Sequence, residues 1–186
     1  MMKTSYKPLS KETWKDFETL FGKNGACGGC WCMWWKLGRK EFAASKGEGN
    51  KQLMKTIAAK KQSPGILLYE ADKAVGWCAV EPRENYPQLE KTRTMKRTDD
   101  QPVWSITCFF ILKEYRRKGY SVVLLKLVKK YTKLQGAKLL EGYPNKTEKE
   151  SPAPFIFTGA LNAFLKAGFK EVARPSERRV IVRSKV

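Results

Sequence analysis

A short basic turn with one glycine lies between a predicted buried strand and a predicted helix. Three consecutive cations, Arg116, Arg117 and Lys118, precede Gly119, and the helix begins directly after it. The first amide groups of a helix have no partner within the helix and carry partial positive charge, so they bind phosphate well. Gly119 lets the backbone approach such an anion without an intervening Cβ atom. The turn therefore predicts a diphosphate site.

A plainer explanation of this turn stays open. Gly119 could simply shape a strand-to-helix turn between solvated cations, because short glycine motifs often match by chance. Two better-known phosphate motifs are excluded. No Gly-Lys-Ser/Thr follows at the spacing of a Walker loop, and a dinucleotide fingerprint needs more than one glycine in the turn.

Acid–base chemistry must use groups other than histidine, because the chain contains none. This excludes Ser-His-Asp and Cys-His pairs and any His-ligated metal site. Glu81 ends a predicted strand beside a long loop, and Glu141 and Tyr143 share one face of a later strand. Either carboxylate could act as a base, directly or through water, with Tyr143 as an acid. The alternatives are that the carboxylates form ordinary ion pairs, or that catalysis rests on positioning and backbone polarisation of a carbonyl.

The early segment is rich in cysteine and tryptophan. Cys27, Cys30 and Cys32 could hold zinc only with a fourth ligand from Cys78, Cys108 or a carboxylate, and the paired ends of a zinc ribbon are missing. We therefore predict no metal site and expect the thiols to be buried among aromatic residues. The three tryptophans either line a substrate pocket or pack in the core; they are Trp31, Trp34 and Trp35.

The pattern of apolar residues predicts the elements that position these groups. It indicates a single domain over 1–186 with an α/β fold, in which 1–62 are helical and 63–186 carry a mixed, mostly antiparallel sheet. The predicted helices cover 11–21, 50–60, 120–134 and 158–167, the last capped by Thr158. The predicted strands cover 66–70, 75–80, 103–112, 137–143, 169–173 and 179–183, and 81–102 form a long loop.

The charge balance leaves a second class of function open. The net charge is +19 over 186 residues, and positions 113–138 hold nine Lys or Arg residues against the single acid Glu114. A nucleic-acid-binding module would carry such charge, although no helix-turn-helix or RNA-binding signature is present. With no apolar run of membrane length, no secretory signal and five cysteines, we expect a soluble cytoplasmic protein. It would be a monomer or a homodimer.

Several motifs together carry a family resemblance. Arg116-x-x-Gly119-x-Ser121, which follows a strand and opens a helix, resembles the Arg/Gln-x-x-Gly-x-Gly/Ala loop of the GNAT superfamily of acetyl-CoA-dependent N-acetyltransferases. The order of elements from about residue 60 to 183 is also similar to that superfamily. A bacterial branch of it has a segment similar to 27–35, and 76–78, 82–83 and 142–144 also match that branch.

The resemblance implies a function and a set of site residues. The protein would transfer acetyl from acetyl-CoA to a primary amine, with a small molecule favoured over a protein as acceptor. Residues 1–62 would form the acceptor side and 63–186 the sheet and acetyl-CoA-binding core. The backbone of Phe110, Ile111 and Leu112 would pair with the pantetheine arm, and Asn162 would lie near the cofactor. The diphosphate would bind the turn, made of Arg116, Arg117, Lys118, Gly119, Tyr120, Ser121 and Val122.

Two positions depart from the family's pattern. Ser121 stands where a small apolar residue is usual, and Phe164 stands where many relatives have the Tyr proposed to protonate the leaving thiolate. Phenylalanine cannot donate that proton. The sequence therefore also allows a GNAT fold that binds acyl-CoA without turning it over.

Overall fold

The computed structural model describes residues 3–146 and 157–186, which form one layered α/β unit. The helices are α1 (Trp14–Phe21), α2 (Arg39–Ala44), α3 (Glu48–Ala58), α4 (Pro87–Glu90), α5 (Tyr120–Leu134) and α6 (Leu161–Lys166). The strands are β1 (Thr4–Pro8), β2 (Gly65–Glu70), β3 (Lys73–Pro82), β4 (Trp104–Ile111), β5 (Leu139–Gly142), β6 (Lys170–Ala173) and β7 (Ile181–Lys185). Among these described residues, no helix combines the length and apolar composition that crossing a membrane requires.

The strands form one mixed sheet in the order β1-β2-β3-β4-β5-β7-β6. Neighbouring strands run antiparallel except β4 and β5, which are parallel. This confirms the predicted fold class, a mostly antiparallel sheet flanked by helices. The parallel pair arises because α5 carries the chain back across the sheet between β4 and β5.

The sheet is covered on both faces. One face packs against α5 and α6, through side chains such as Ile106, Leu124 and Phe164. The other packs against α1, α3 and the segment between α1 and α2, through Trp77, Phe17 and Trp31. Because both faces are buried, β2 and β3 read as nearly continuous apolar runs.

The sheet splays open between β4 and β5. These strands pair only from Trp104 to Ile106 and from Leu140 to Gly142. A register shift in the β3–β4 pairing leaves Thr107 as an extra residue on β4, and such a bulge bends a strand. Beyond the bulge, β4 and the chain that follows β5 separate, so the gap between them is the place where the fold leaves room for a ligand.

The predicted helix over 120–134 and the hairpin of β2 and β3 are present, but other elements differ. The predicted elements of the helical part over 1–62 did not include β1, which adds an edge strand to β2. The alternating exposure of β1 gave too few apolar residues to indicate a strand. The helix α2 was also missed, since it buries no side chain.

Three predicted boundaries or loops also need correction. The first helix begins at Trp14 rather than at residue 11, because the amide of Ser10 donates to the Thr13 hydroxyl in a separate turn. The last helix begins at Leu161, not at 158, because Ala160 is extended and pairs with Asn145. The 81–102 segment contains α4 and two short 3₁₀ turns, at Arg83–Asn85 and Arg93–Met95.

Close packing at the start of β2 yields a first stability prediction. A Cβ atom on Gly65 would lie 2.2 Å from the Cys78 carbonyl oxygen and 2.7 Å from the Trp77 ring. Because a backbone oxygen cannot move aside cheaply, we expect Gly65→Ala to lower the free energy of unfolding by about 2–3 kcal/mol. Urea unfolding measures this. In the control Gly38→Ala the new Cβ meets no atom within 4 Å, and equal midpoints for both variants would contradict the packing.

Candidate active site

A cavity of about 640 Å³ opens at the splay. Its walls come from three sources: the segment between α1 and α3, the outer half of β4, and the beginnings of α5 and α6. Most of the lining is apolar or aromatic, and Lys46 and Arg116 are the charged residues among the described lining. The lining includes Cys27, Cys30, Cys32, Trp34, Phe42, Lys46, Cys108, Phe109, Phe110, Ile111, Arg116, Ser121, Phe157, Ala160, Ala163 and Phe164.

The basic turn closes one end of this cavity. Gly119 has φ 84°, in the left-handed region that favours glycine, and nothing within 4 Å would meet a Cβ there. Its carbonyl accepts the amides of Val122 and Val123 at 3.0 and 3.2 Å, so the fifteen-residue helix α5 starts directly after it. The amides of its first turn therefore lie at the cavity, beside Ser121.

The side chains of the turn point in different directions. All three cations are exposed, but Arg116 lines the cavity and donates through Nε to the Ile111 carbonyl oxygen at 2.8 Å, whereas Arg117 and Lys118 are outside the lining. Tyr120 is buried against Tyr115 and donates its hydroxyl to Glu70. That bond is the main reason why the pKa of Tyr120 is raised to about 12. Arg116 is thus the one of the three consecutive predicted cations that the structure directs to the cavity.

The backbone peptide groups of β4 point alternately towards β3 and into the splay. The amide of Phe109 donates to the Phe157 carbonyl oxygen at 2.6 Å, so the peptide groups of Phe109 and, two residues on, of Ile111 point into the splay. The peptide groups of Phe110 face β3, and the Leu112 amide donates to Val75 at 3.0 Å. Of the three predicted backbone positions, Ile111 therefore faces the splay. Phe109, which was not predicted, also faces the splay. The two-residue period of a strand, counted back from Ile111, is the signal that could have identified it.

Glu81 lies at the end of β3, away from the cavity lining. Its buried carboxylate pairs with the ammonium group of Lys36 and accepts from Asn85 Nδ2 at 2.9 Å. Both oxygens are therefore occupied by partners from the chain itself.

Glu141 and Tyr143 belong to a buried polar network centred on Arg83. Arg83 Nη1 donates to Glu141 Oε1 at 3.0 Å and to the Tyr143 hydroxyl at 2.6 Å, and Tyr143 donates to Glu141 at 2.6 Å. Arg183 Nε donates to the other oxygen of Glu141 at 2.7 Å. Burial, followed by the charge of Glu141, raises the pKa of Tyr143 well above its usual range. Neither residue lines the cavity, and the ion-pair alternative matches this arrangement.

The structure separates the three predicted tryptophans. Trp31 is buried among the aromatic residues of the core and stacks on Phe21 at 5.6 Å. Trp35 is buried on the other side of the segment, 6.2 Å from Phe157. Trp34 is half-buried, lines the cavity and meets Phe42 edge to face at 5.1 Å. The cavity wall thus includes Trp34, whereas the other two support it from the core.

Four of the five cysteines line the same cavity: Cys27, Cys30, Cys32 and Cys108. Desolvation is the main cause that raises the pKa of Cys30 to about 12 and the pKa of the fully buried Cys32 well above its usual range. The Sγ atoms of Cys32 and Cys108 are 3.0 Å apart. Within 3–146 and 157–186, no three Cys, Asp or Glu side chains come together as a metal site would require.

At the α6 end of the cavity, Asn162 does not lie where it was predicted. Ala160, Ala163 and Phe164 line it, and Phe164 meets Phe109 edge to face at 5.6 Å. Asn162 lies on the exposed side of α6 and is not part of the lining. The small side chain of Ala163 leaves the space beside Ser121 and Arg116 open.

The splayed sheet, the glycine turn before α5 and the cavity between them define an acyltransferase-like α/β protein of the kind expected from the motifs. The sequence matches the model of the acetyltransferase (GNAT) family over residues 31–147, more than half of the chain. The chain therefore belongs to the GNAT acetyltransferase family.

Solved structures with the same fold are distant in sequence. PaiA N-acetyltransferase from Thermoplasma acidophilum, in complex with coenzyme A, shares 14% identity at TM-score 0.55 over all of both chains. A GNAT-family acetyltransferase from Streptococcus pneumoniae shares 10% at TM-score 0.53 over 99% of each chain. The C-terminal condensation domain of Ebony, in complex with β-alanyl-dopamine, shares 8% at TM-score 0.58 over all of both chains. No curated protein sequence gives a significant match.

Proposed function

We propose that this protein transfers an acetyl group from acetyl-CoA to a primary amine, most favourably that of a small molecule. One observation carries the proposal: a single cavity extends from the glycine turn at Arg116 and Ser121, along β4, to the aromatic segment at Trp34. A donor held at the first end and an acceptor at the other would meet beside Phe109. Membership of the GNAT family supports the same general reaction.

The donor would bind along the turn and the edge of β4. The amides from Arg117 to Ser121 would hold the diphosphate, with Arg116 as a fixed cation at the cavity wall. The predicted contribution of the Val122 amide would be smaller, because that amide donates to the Gly119 carbonyl. The pantetheine arm would pair with the splay-facing groups of β4 at Phe109 and Ile111. Because the Phe157 carbonyl now accepts from the Phe109 amide, binding would replace that contact by one to the donor.

The Phe109 amide would take part in the chemistry. Once freed from Phe157, its N–H would donate to the thioester carbonyl, which becomes more negative as the amine attacks. Positioning of the two reactants in a largely apolar cavity would supply much of the remaining rate. A base must also take the proton of the amine, and the leaving thiolate must be stabilised or protonated.

The catalytic roles predicted for Glu81, Glu141 and Tyr143 remain predictions. Their present partners are Lys36 and Asn85 for Glu81, and Arg83 and Arg183 for Glu141. We propose Glu81 as the better base, acting through water, because one cation, Lys36, pairs with it, whereas two arginines hold Glu141. Tyr143 would be a poor acid, since its proton already bonds to Glu141.

The acceptor would lie against the aromatic residues of the N-terminal segment. Trp34 and Phe42 form a perpendicular aromatic pair at the cavity, which suits an apolar or aromatic amine or a cation held against the rings. One observation favours a second candidate, an acyl-CoA-binding protein without turnover: the buried Phe164 at the cavity has no proton to give to a leaving thiolate.

Thiol release with acetyl-CoA separates these candidates. The purified chain is incubated with acetyl-CoA and a panel of amines, amino acids and basic peptides, and free coenzyme A is detected while titration calorimetry measures acetyl-CoA binding. We expect binding and amine-dependent release. Binding without release for any amine would favour the inactive candidate. Absence of binding, together with binding of an oligonucleotide that coenzyme A does not compete away, would replace both by the nucleic-acid module.

A further inference from the structure

Two thiols from distant parts of the chain meet in the wall of the cavity. Cys32 comes from the segment between α1 and α2, Cys108 lies on β4 next to the bulge, and 76 positions separate them. Their Sγ atoms are 3.0 Å apart. We propose that Cys32 and Cys108 are a redox-active pair, a modification site at which a peroxide forms a reversible disulfide across the cavity wall.

The surroundings hold the two sulfur atoms together. Their separation is shorter than the roughly 3.5–4.0 Å typical of non-bonded heavy atoms and about 1 Å longer than a disulfide bond. The Trp77 indole Nε1 donates to Cys32 Sγ at 3.1 Å from the core side. The backbone at Trp31 and Cys32 has φ 45° and 59° and is kept there by the packing of Trp31 in the aromatic core. Forming the bond therefore needs a small movement of the two sulfurs.

The two cysteines differ in how a small oxidant reaches them. Both line the cavity, but Cys108 is half-buried, whereas Cys32 is buried. The Cys108 sulfur would attack a peroxide oxygen, so that the O–O bond breaks, a sulfenic acid forms and water or an alcohol leaves. The Cys32 sulfur would then attack the Cys108 sulfur. The S–S bond forms, the S–O bond breaks, and the hydroxyl group departs as water with the Cys32 thiol proton.

The reaction is balanced by one two-electron oxidant. The pair of thiols loses two electrons and two protons, and the peroxide takes them up. A small-molecule thiol can reverse the step by thiol–disulfide exchange through the cavity, as expected for a transient bond in a reducing compartment. Cys30 and Cys27 line the same cavity, but in the part of the chain that the structure describes the sulfur–sulfur hydrogen bond joins Cys32 and Cys108.

The bond would have two consequences. It would tie the segment before α2 to the central strand, closing a long loop, and thereby raise Tm by on the order of 5–10 °C. It would also fix the cavity wall beside Phe109, which should change acetyl transfer. That second consequence rests on the proposed function, whereas formation of the bond does not.

Mass spectrometry of the full chain tests the pair. The reduced protein is treated with a few equivalents of hydrogen peroxide, and free thiols are then blocked with N-ethylmaleimide. Before blocking, we expect the intact protein to lose about 2 Da. After blocking and digestion, we expect a cross-linked Cys32–Cys108 peptide that disappears on treatment with dithiothreitol. Cys108→Ser should abolish both the cross-link and the rise in Tm. Cys27→Ser, which changes an exposed thiol of the same cavity, should leave both intact.

Several outcomes would overturn the proposal. These are a sulfenic acid on Cys108 that persists without a cross-link, a disulfide through Cys27 or Cys30 instead, or no change under peroxide. Mapping in the unmutated protein answers the question even if a serine variant folds poorly. Acetyl-CoA binding and thiol release are measured separately with the reduced protein, so failure of the proposed function is distinguishable from failure of the redox pair.

Discussion

Replacing Arg116 with glutamate is expected to weaken acetyl-CoA binding by about 100-fold or more. Arg116 lines the cavity, and its Nε bond to the Ile111 carbonyl holds the guanidinium group in place. A charge-assisted contact to a phosphate contributes roughly 1.5–3 kcal/mol, or about 10- to 150-fold in affinity. The glutamate would remove that contact and add repulsion next to the diphosphate.

Titration calorimetry with acetyl-CoA measures this effect, and Lys126→Glu is the matched control. Lys126 is exposed on the same helix α5, and its replacement changes the net charge by the same amount. We expect little change in the control. Equal losses in both variants would mean that the diffuse positive charge attracts the cofactor, and no loss in either would mean that the turn does not bind it.

Replacing Glu141 with alanine is expected to lower the free energy of unfolding by about 3–5 kcal/mol. The side chains of Arg83 and Glu141 are both 1% exposed, and Arg183 and Tyr143 depend on the same carboxylate. Removing one member of a buried ion pair leaves the other charge without compensation in a medium that solvates it poorly. Arg83 would keep Glu90 and the Met95 carbonyl as partners, which limits the loss.

Urea unfolding measures this loss, with Glu171→Ala as the control. Glu171 also pairs with an arginine, Arg174, but the pair is exposed, so its removal should change the midpoint little. Thiol release by the folded fraction adds a second readout. If Glu141→Ala kept its stability and lost turnover, the carboxylate would be a catalytic base and the structural explanation of the network would be wrong.

The sequence was most informative where a local pattern is long. The apolar stripe of Leu124, Val128 and Tyr131 predicted α5 over 120–134, and the structure has the helix over the same residues. The apolar run before it predicted β4, which covers Trp104–Ile111. The turn between them carried the family resemblance, which the match over 31–147 confirms. Predictions of this kind agree with the folded structure because helix, strand and turn preferences depend mainly on residues that are close in the sequence.

The sequence was least informative where a residue's role depends on distant partners. Glu81 and Glu141 were equivalent candidates as residue types, and their partners Lys36 and Arg83 come from 45 and 58 positions away. Trp34 could not be told from Trp31 and Trp35 within one run of apolar residues. Phe109 was missed because pairing with Phe157 depends on how β4 and β5 separate.

The amino-acid order alone indicated the family, through the resemblance of its motifs. It also determined the order of the main elements and the turn at 116–121, because these rest on short-range periodicity and backbone preference. Tertiary structure decided which tryptophan lines the cavity and which carboxylates form ion pairs with buried cations. It also decided which two of the five cysteines are in contact. The physical reason is that burial and pairing are properties of the assembled sheet and its two packed faces. In the unfolded chain, all of these side chains are exposed to solvent in the same way, so their residue types alone do not distinguish their roles.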